Sequence, residues 1–246
     1  MPYVLSVSPD FTPKHIAGWY VFNTWLQRQT ELAFHLELYD SFSQQREAIA
    51  EDKIDLIYAN PYDAAMLVRE KGFVALAAPL SKADETIIAC HQQAPIENIE
   101  ALQQGLKIVT TDDPDVHLMG MMMLEPADLN ANNTDIQQMD SYVLVAKQLL
   151  QHNADIGFFL KDAYYDLSHL IRNELKVLMT SEIFIIRHIL LAGPKLQPYH
   201  QQLQSLLMNM QHDSKGADVL KAMGLTGWEQ QTQEDTEFMI DLMDTL

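Results

Sequence analysis

Strand and helix signals alternate along most of this chain, and that alternation restricts the fold more than any other feature. Tyr3 to Val7 reads as a strand, and residues 8–13 as a loop. From Lys14 to Thr30, Ile16, Tyr20, Trp25 and Leu26 give a helix its apolar face. Phe34 to Leu38 is a second strand, Ser43 to Glu51 a helix, Ile54 to Tyr58 a third strand, and Pro61 to Glu70 a helix again. Such alternation predicts a parallel sheet with helices on both faces. Ligands of these sheets sit outside the carboxyl ends of the strands. Asp10, Asp40-Ser41 and Asn60-Pro61-Tyr62 fall at those ends.

A weak internal echo extends the reading. "REAIAEDKIDLIYANPYDAA" and "AKQLLQHNADIGFFLKDAYY" share helix, polar turn, Asp, apolar strand and polar exit. Asp55 matches Asp155, and Tyr58 matches Phe158. "VLSVSPDFTPKHI" and "KIVTTDDPDVHLM" repeat strand, Ser/Thr, Asp, Pro and helix start. Two α/β lobes on one plan are expected, with a cleft that closes on a small ligand. The crossings are expected near Ala83 to Thr86 and Thr180 to Ile186. They divide the chain into lobe one, residues 1–84 plus 187–246, and lobe two, residues 85–186.

Composition removes several classes of function. The formal net charge of −18 argues against nucleic acid or an anionic membrane surface, because both select a basic face. Although 48% of the residues are apolar, no long uncharged apolar run exists to enter a membrane. A single cysteine, Cys90, excludes an internal disulfide and a cysteine-rich metal site. Residues 1–7 lack the basic start and apolar stretch of a secretory signal. The expected location is therefore cytoplasmic if Met1 is the native start, or periplasmic if a leader has been removed.

"DKIDLIYANPYDAAMLVREKGFVALAAPL" resembles the central segment of the phosphate/phosphite/phosphonate-binding family of periplasmic binding proteins. The similarity continues in order through "PIENIEALQQGLKIVTTDDPD", "NADIGFF", "KVLMTS" and "DSKGADVLKAMGLTGWE". The resemblance implies an α/β, two-lobe type II periplasmic-binding fold with a two-strand hinge and an inter-lobe cleft. It also implies a small polar solute held at helix N-termini, and an ABC transporter permease as partner if the chain is exported. Phosphonate binders of the family carry a Ser-Thr-Ser-Gly run after the Asp-Pro-Asp turn. Here that stretch is Asp113-Pro114-Asp115-Val116-His117-Leu118-Met119-Gly120, and Val116 and Leu118 have no donor side chain. Carboxylates at the strand exits (Asp10, Asp40, Asp63, Asp112, Asp140) disfavour a dianion further.

The candidate ligand-binding residues are Asp10, Thr12, Tyr39, Asn60, Tyr62, Asp115, His117, Ser141 and Tyr142. His117 is expected to have a raised pKa among its carboxylates. It can face a ligand, join Asp115 on a metal, or be a first-turn surface histidine. Tyr39, Tyr62 and Tyr142 offer an apolar wall with a polar tip, and Ser141 reads as an N-cap. Lys14, His15, His117 and Arg187 are the nearby cationic candidates. "MGMMMLEP" and "FFLKDAYYDLSHL" read as core-packing segments, Cys90 as buried, and "EQQTQEDTEFMIDLMDTL" as a solvated amphipathic helix. No nucleophile elbow, phosphate-binding glycine loop or zinc spacing occurs. The expectation is a solute-binding protein without catalysis, cofactor or resident metal, whose ligand is not a simple phosphonate. The alternative is a cytoplasmic enzyme or ligand sensor on the same fold.

Overall fold

The computed structural model describes residues 2–10 and 13–245. It divides into two units: unit 1 is Met1–Ala83 with Ile185–Thr245, and unit 2 runs from Asp84 to Phe184. The first pass through unit 1 gives β1 (Tyr3–Val7), α1 (Ile16–Thr30), β2 (Phe34–Leu38), α2 (Phe42–Ala50), β3 (Leu56–Ala59), α3 (Pro61–Arg69) and β4 (Val74–Pro79). Unit 2 contains β5 (Thr86–His91), β6 (Leu106–Thr110), α4 (Pro114–Met122), β7 (Thr134–Gln138), α5 (Tyr142–Leu150) and β8 (Ile156–Leu160). It closes with α6 (Lys161–Asp166), α7 (His169–Asn173) and β9 (Leu175–Thr180). The chain then re-enters unit 1 as β10 (Ile189–Ala192), α8 (His200–Met210), α9 (Ser214–Ala222), β11 (Trp228–Glu229) and α10 (Gln233–Thr245).

Apart from the added edge strand β11, the two sheets share one strand order. Unit 1 runs β11-β4-β10-β3-β1-β2, and unit 2 runs β9-β5-β8-β6-β7. In each, three strands are mutually parallel: β1 lies between β2 and β3, and β6 between β7 and β8. The fully parallel sheet expected from the sequence is corrected at β10 and β5, which run antiparallel to both of their neighbours. The reason lies in the connection. β4 ends, and β10 begins, at the carboxyl end of the parallel strands, so a strand starting there has to run back.

The repeated aspartate explains how each parallel set is registered. Asp55 N–H donates to Val4 O at 2.9 Å, and its carboxylate accepts from Val4 N at 2.9 Å. Asp155 N–H donates to Lys107 O at 2.9 Å, and its carboxylate accepts from Lys107 N at 2.8 Å. Each aspartate fixes the start of a central strand against its neighbour.

Alternate side chains of the strands enter different cores, as the period of two requires. Leu56 and Tyr58 join Trp19, Phe22 and Leu26 of α1, with α8 and α9. Ile57 and Ala59 join Ala64 and Leu67 of α3, with Met239 and Ile240 of α10. In unit 2, Ile88, Cys90 and Phe158 face one core, and Ile87, Ala89 and Phe159 the other. Cys90 is fully buried, as expected. The buried face of α1 is Trp19, Phe22, Trp25 and Leu26, which leaves Tyr20 53% exposed and corrects its assignment to the core. One residue on from Trp19, Tyr20 is turned about 100° round the helix. Polar caps start the helices at the strand ends: Ser41 for α2, Asn60 for α3, Asp113 for α4 and Ser141 for α5. Each such cap contributes about 1 kcal/mol.

Candidate ligand-binding site

In unit 1 the loop after β1 carries Asp10, whose side chain is 3% exposed and pairs with His188 just before β10. His188 Nε2 lies 2.9 Å from Asp10 Oδ2 and 3.1 Å from Oδ1. Its ring stacks on Tyr58 with centroids 5.0 Å apart. Burial alone would raise the Asp10 carboxyl. The charge and hydrogen bond of His188, with help from Ser8, outweigh it and hold the group below its ordinary 3.8.

Asn60 is fully buried at the end of β3. Its amide donates to Ser8 Oγ at 3.2 Å and Asp63 Oδ2 at 2.7 Å, while its oxygen accepts from Asp63 N at 2.8 Å. Asp63 also takes Arg46 Nε at 2.5 Å, and the Arg46 guanidinium lies 5.0 Å from the Tyr62 ring. Serine, amide, carboxylate and guanidinium thus form one chain along the carboxyl ends of β1 and β3. Tyr39, at the end of β2, packs against the second core, and burial raises its phenol above 10. Among the described residues no hydrogen bond joins it to that chain. Thr12 lies outside the described residues.

Two of the cationic candidates of unit 1 are engaged elsewhere. His15 Nδ1 lies 3.1 Å from Ala222 O at the end of α9. Arg187 is ion-paired with Glu229.

In unit 2 the loop after β6 is organised by Asp113. Its Oδ1 accepts from the amides of Asp115 at 3.1 Å and Val116 at 3.2 Å. Its Oδ2 accepts from the Tyr142 hydroxyl at 2.8 Å. The first-turn amides of α4 therefore already hold a carboxylate, in the place where a helix N-terminus attracts an anion. Asp115 is buried beside it. Ser141 caps α5 through Leu144 N at 3.4 Å, and Tyr142 begins that helix. His117 is half-buried, and its Nδ1 makes no hydrogen bond among the described residues. Burial lowers its pKa from 6.5, which corrects the raised value expected from nearby carboxylates. Loss of water around the ring is the cause.

The structure therefore links Asp10 and Asn60 through Ser8, brings Tyr62 to Arg46, and sets Tyr142 on the cap that orders Asp115. Tyr39, His117 and Ser141 stand apart from these networks. Sequence reasoning missed His188, Arg46 and the role of Asp113. Only Asp113 left a readable signal, since Asp followed by Pro at a helix start is an N-cap with Pro at the first helical position.

Residues 5–236 match the family described as "ABC transporter, phosphonate, periplasmic substrate-binding protein". Curated proteins include no match. Among solved structures, PhnD1 from Prochlorococcus marinus in complex with methylphosphonate superposes with a TM-score of 0.82 at 11% identity, covering 99% of this chain and 98% of its own. XAC2383 from Xanthomonas citri bound to ATP gives 0.81 at 14% identity, covering 98% and 95%. The periplasmic aliphatic sulphonate binding protein SsuA from Escherichia coli gives 0.65 at 15%, covering 99% and 87%. Identities this low speak for the fold alone, a two-lobe periplasmic-binding one.

Proposed function

The chain belongs to the phosphonate-type periplasmic substrate-binding family of ABC transporters, and on that premise we propose that its solute is a small neutral or cationic polar molecule. It is a solute-binding protein related to phosphonate and sulfonate binders. Among the described residues no helix is long and apolar enough to cross a membrane. In this reading the protein hands its solute to the transporter's permease from the periplasmic side.

The observation that carries the choice of solute is the Asp113 cap. An incoming phosphonate would compete for the amides of Asp115 and Val116 with a carboxylate that also holds the Tyr142 hydroxyl. It would also meet the buried Asp115 carboxylate beside that cap. Placing a dianion beside buried carboxylates costs several kcal/mol unless cations offset it. A neutral solute meets acceptors and hydroxyls instead, and a cationic one meets acceptors that favour it. In this proposal Asp10, Asn60, Tyr39 and Tyr62 of unit 1 recognise the solute, with His188 orienting Asp10. Asp115, His117, Ser141 and Tyr142 do so from unit 2.

Native mass spectrometry of the purified protein tests this by the mass and charge of what co-purifies. Calorimetric titration with methylphosphonate and phosphate is expected to give dissociation constants in the millimolar range or weaker, about −4 kcal/mol. A co-purified phosphonate would overturn the reading.

A further inference from the structure

Helices α1 and α9 meet where a Cβ added at Gly18 would lie 2.2 Å from Ala222 O. Beside this contact the same helices line a groove of about 400 Å³. Trp25 and Val219 give it buried apolar surface, and Tyr20 and Val21 exposed apolar surface, 53% and 47% accessible. The charged residues lining it are Arg28 and Lys215, with no carboxylate among its described lining residues. The composition of the whole chain makes that unusual, since 34 acidic residues outnumber 16 basic ones. All three other arginines of unit 1 are neutralised locally, Arg46 by Asp63, Arg69 by Glu237, Asp241 and Asp244, and Arg187 by Glu229. Among the described residues Arg28 and Lys215 make no ion pair.

Tyr20 and Val21 leave about half of their apolar surface in water on a helix whose other face fills the core. Tyr, Trp and Arg are the residue types that carry binding energy at protein interfaces. Two helices with a groove between them also match the footprint of a third helix laid across them. We propose that this groove docks a protein partner whose helix presents an aromatic or branched apolar side chain flanked by carboxylates. The apolar anchor enters beside Trp25 and Tyr20, and the carboxylates meet Arg28 and Lys215. The inference uses no residue of the solute site, so it stands or falls separately from the proposed solute.

The test titrates the full chain with three synthetic helical peptides: one acidic with a single Phe, one with that Phe replaced by Ala, and one with Lys for every acid. The acidic Phe peptide is expected to bind with a dissociation constant below about 1 mM. The other two should bind at least roughly tenfold more weakly. The double variant Arg28→Glu with Lys215→Glu changes only exposed side chains. It should keep its circular dichroism and thermal midpoint while losing about tenfold in affinity for the acidic peptide. Equal binding of the acidic and lysine peptides, or unchanged affinity in the double variant, would overturn the proposal. So would a concentration-dependent mass above the 28.1 kDa chain in sedimentation that the double variant abolishes. That result would give the groove to a second copy of this chain.

Discussion

Units 1 and 2 share a strand order and a repeated aspartate, yet they satisfy their buried strand-end carboxylates differently. In unit 1, carboxylates meet cations: Asp10 meets His188, and Asp63 meets Arg46. In unit 2, neutral donors reach Asp113 and Glu85. Asp113 takes two amides and a phenol, and Glu85, 3% exposed, takes the Ser181 hydroxyl and the amides of Ile183 and Phe184. The scaffold thus fixes where polar groups gather but not how their charge is balanced. A pair closed by a cation depends on two protonation states, whereas a carboxylate held by amides depends on its own alone.

The largest effect that separates the units is expected at equivalent helices. A Cβ at Gly18 meets the Ala222 carbonyl, while one at Gly120 meets the Phe158 ring 2.4 Å away. Backbone cannot rotate aside, and a ring can shift. Gly18→Val is expected to cost about 3 kcal/mol or more, and Gly120→Val about 1–3 kcal/mol. Urea midpoints measure both, and a larger loss at Gly120 would break the contrast.

The charge-balance difference gives the next effect. Asp10→Asn removes the carboxylate charge from the buried His188 pair and is expected to cost about 3 kcal/mol at pH 7. Because the folded Asp10 pKa is depressed, its stabilisation is fully present above the ordinary 3.8 and disappears as pH falls through the lower folded value. Parent and variant stabilities should converge in that acid range. Tyr142→Phe in unit 2 removes one donor to a carboxylate, and about 1.5 kcal/mol is expected. A constant Asp10→Asn difference down to the lowest pH measured would remove the cation from the account.

The smallest effect sharpens the likeness of the units. Asp55→Ala and Asp155→Ala each delete the same strand clamp. Asp55 is buried and also pairs with Lys195 at 2.9 Å, whereas Asp155 is exposed. Losses of about 2 and about 1 kcal/mol are expected in thermal or urea unfolding.

Local patterning made much of this legible. β1 and β2 stand where apolar runs placed them, β3 starts two residues later at Leu56, and the spacing of Asp55 and Asp155 exposed a repeated plan whose hydrogen bonds the structure shows. The type II periplasmic-binding class followed from collinear segments. The return of β10 was hidden because strand direction depends on where the chain comes back, not on its own residues. Asp10 and His188 are 178 positions apart, and "IRHILLAG" reads only as the start of a strand. The sign of the His117 shift was misread because neighbouring carboxylates are visible in a sequence and loss of water around a ring is not.

In the proposed reading, Asp113 occupies the place an oxyanion ligand would take on α4. Calorimetry with methylphosphonate on the parent and on Asp113→Ser tests it most directly, since serine keeps a cap and removes the charge. Binding to the parent is expected to be millimolar or weaker, and binding to the variant at least roughly tenfold tighter. Micromolar binding to the parent that weakens in Asp113→Ser would contradict it.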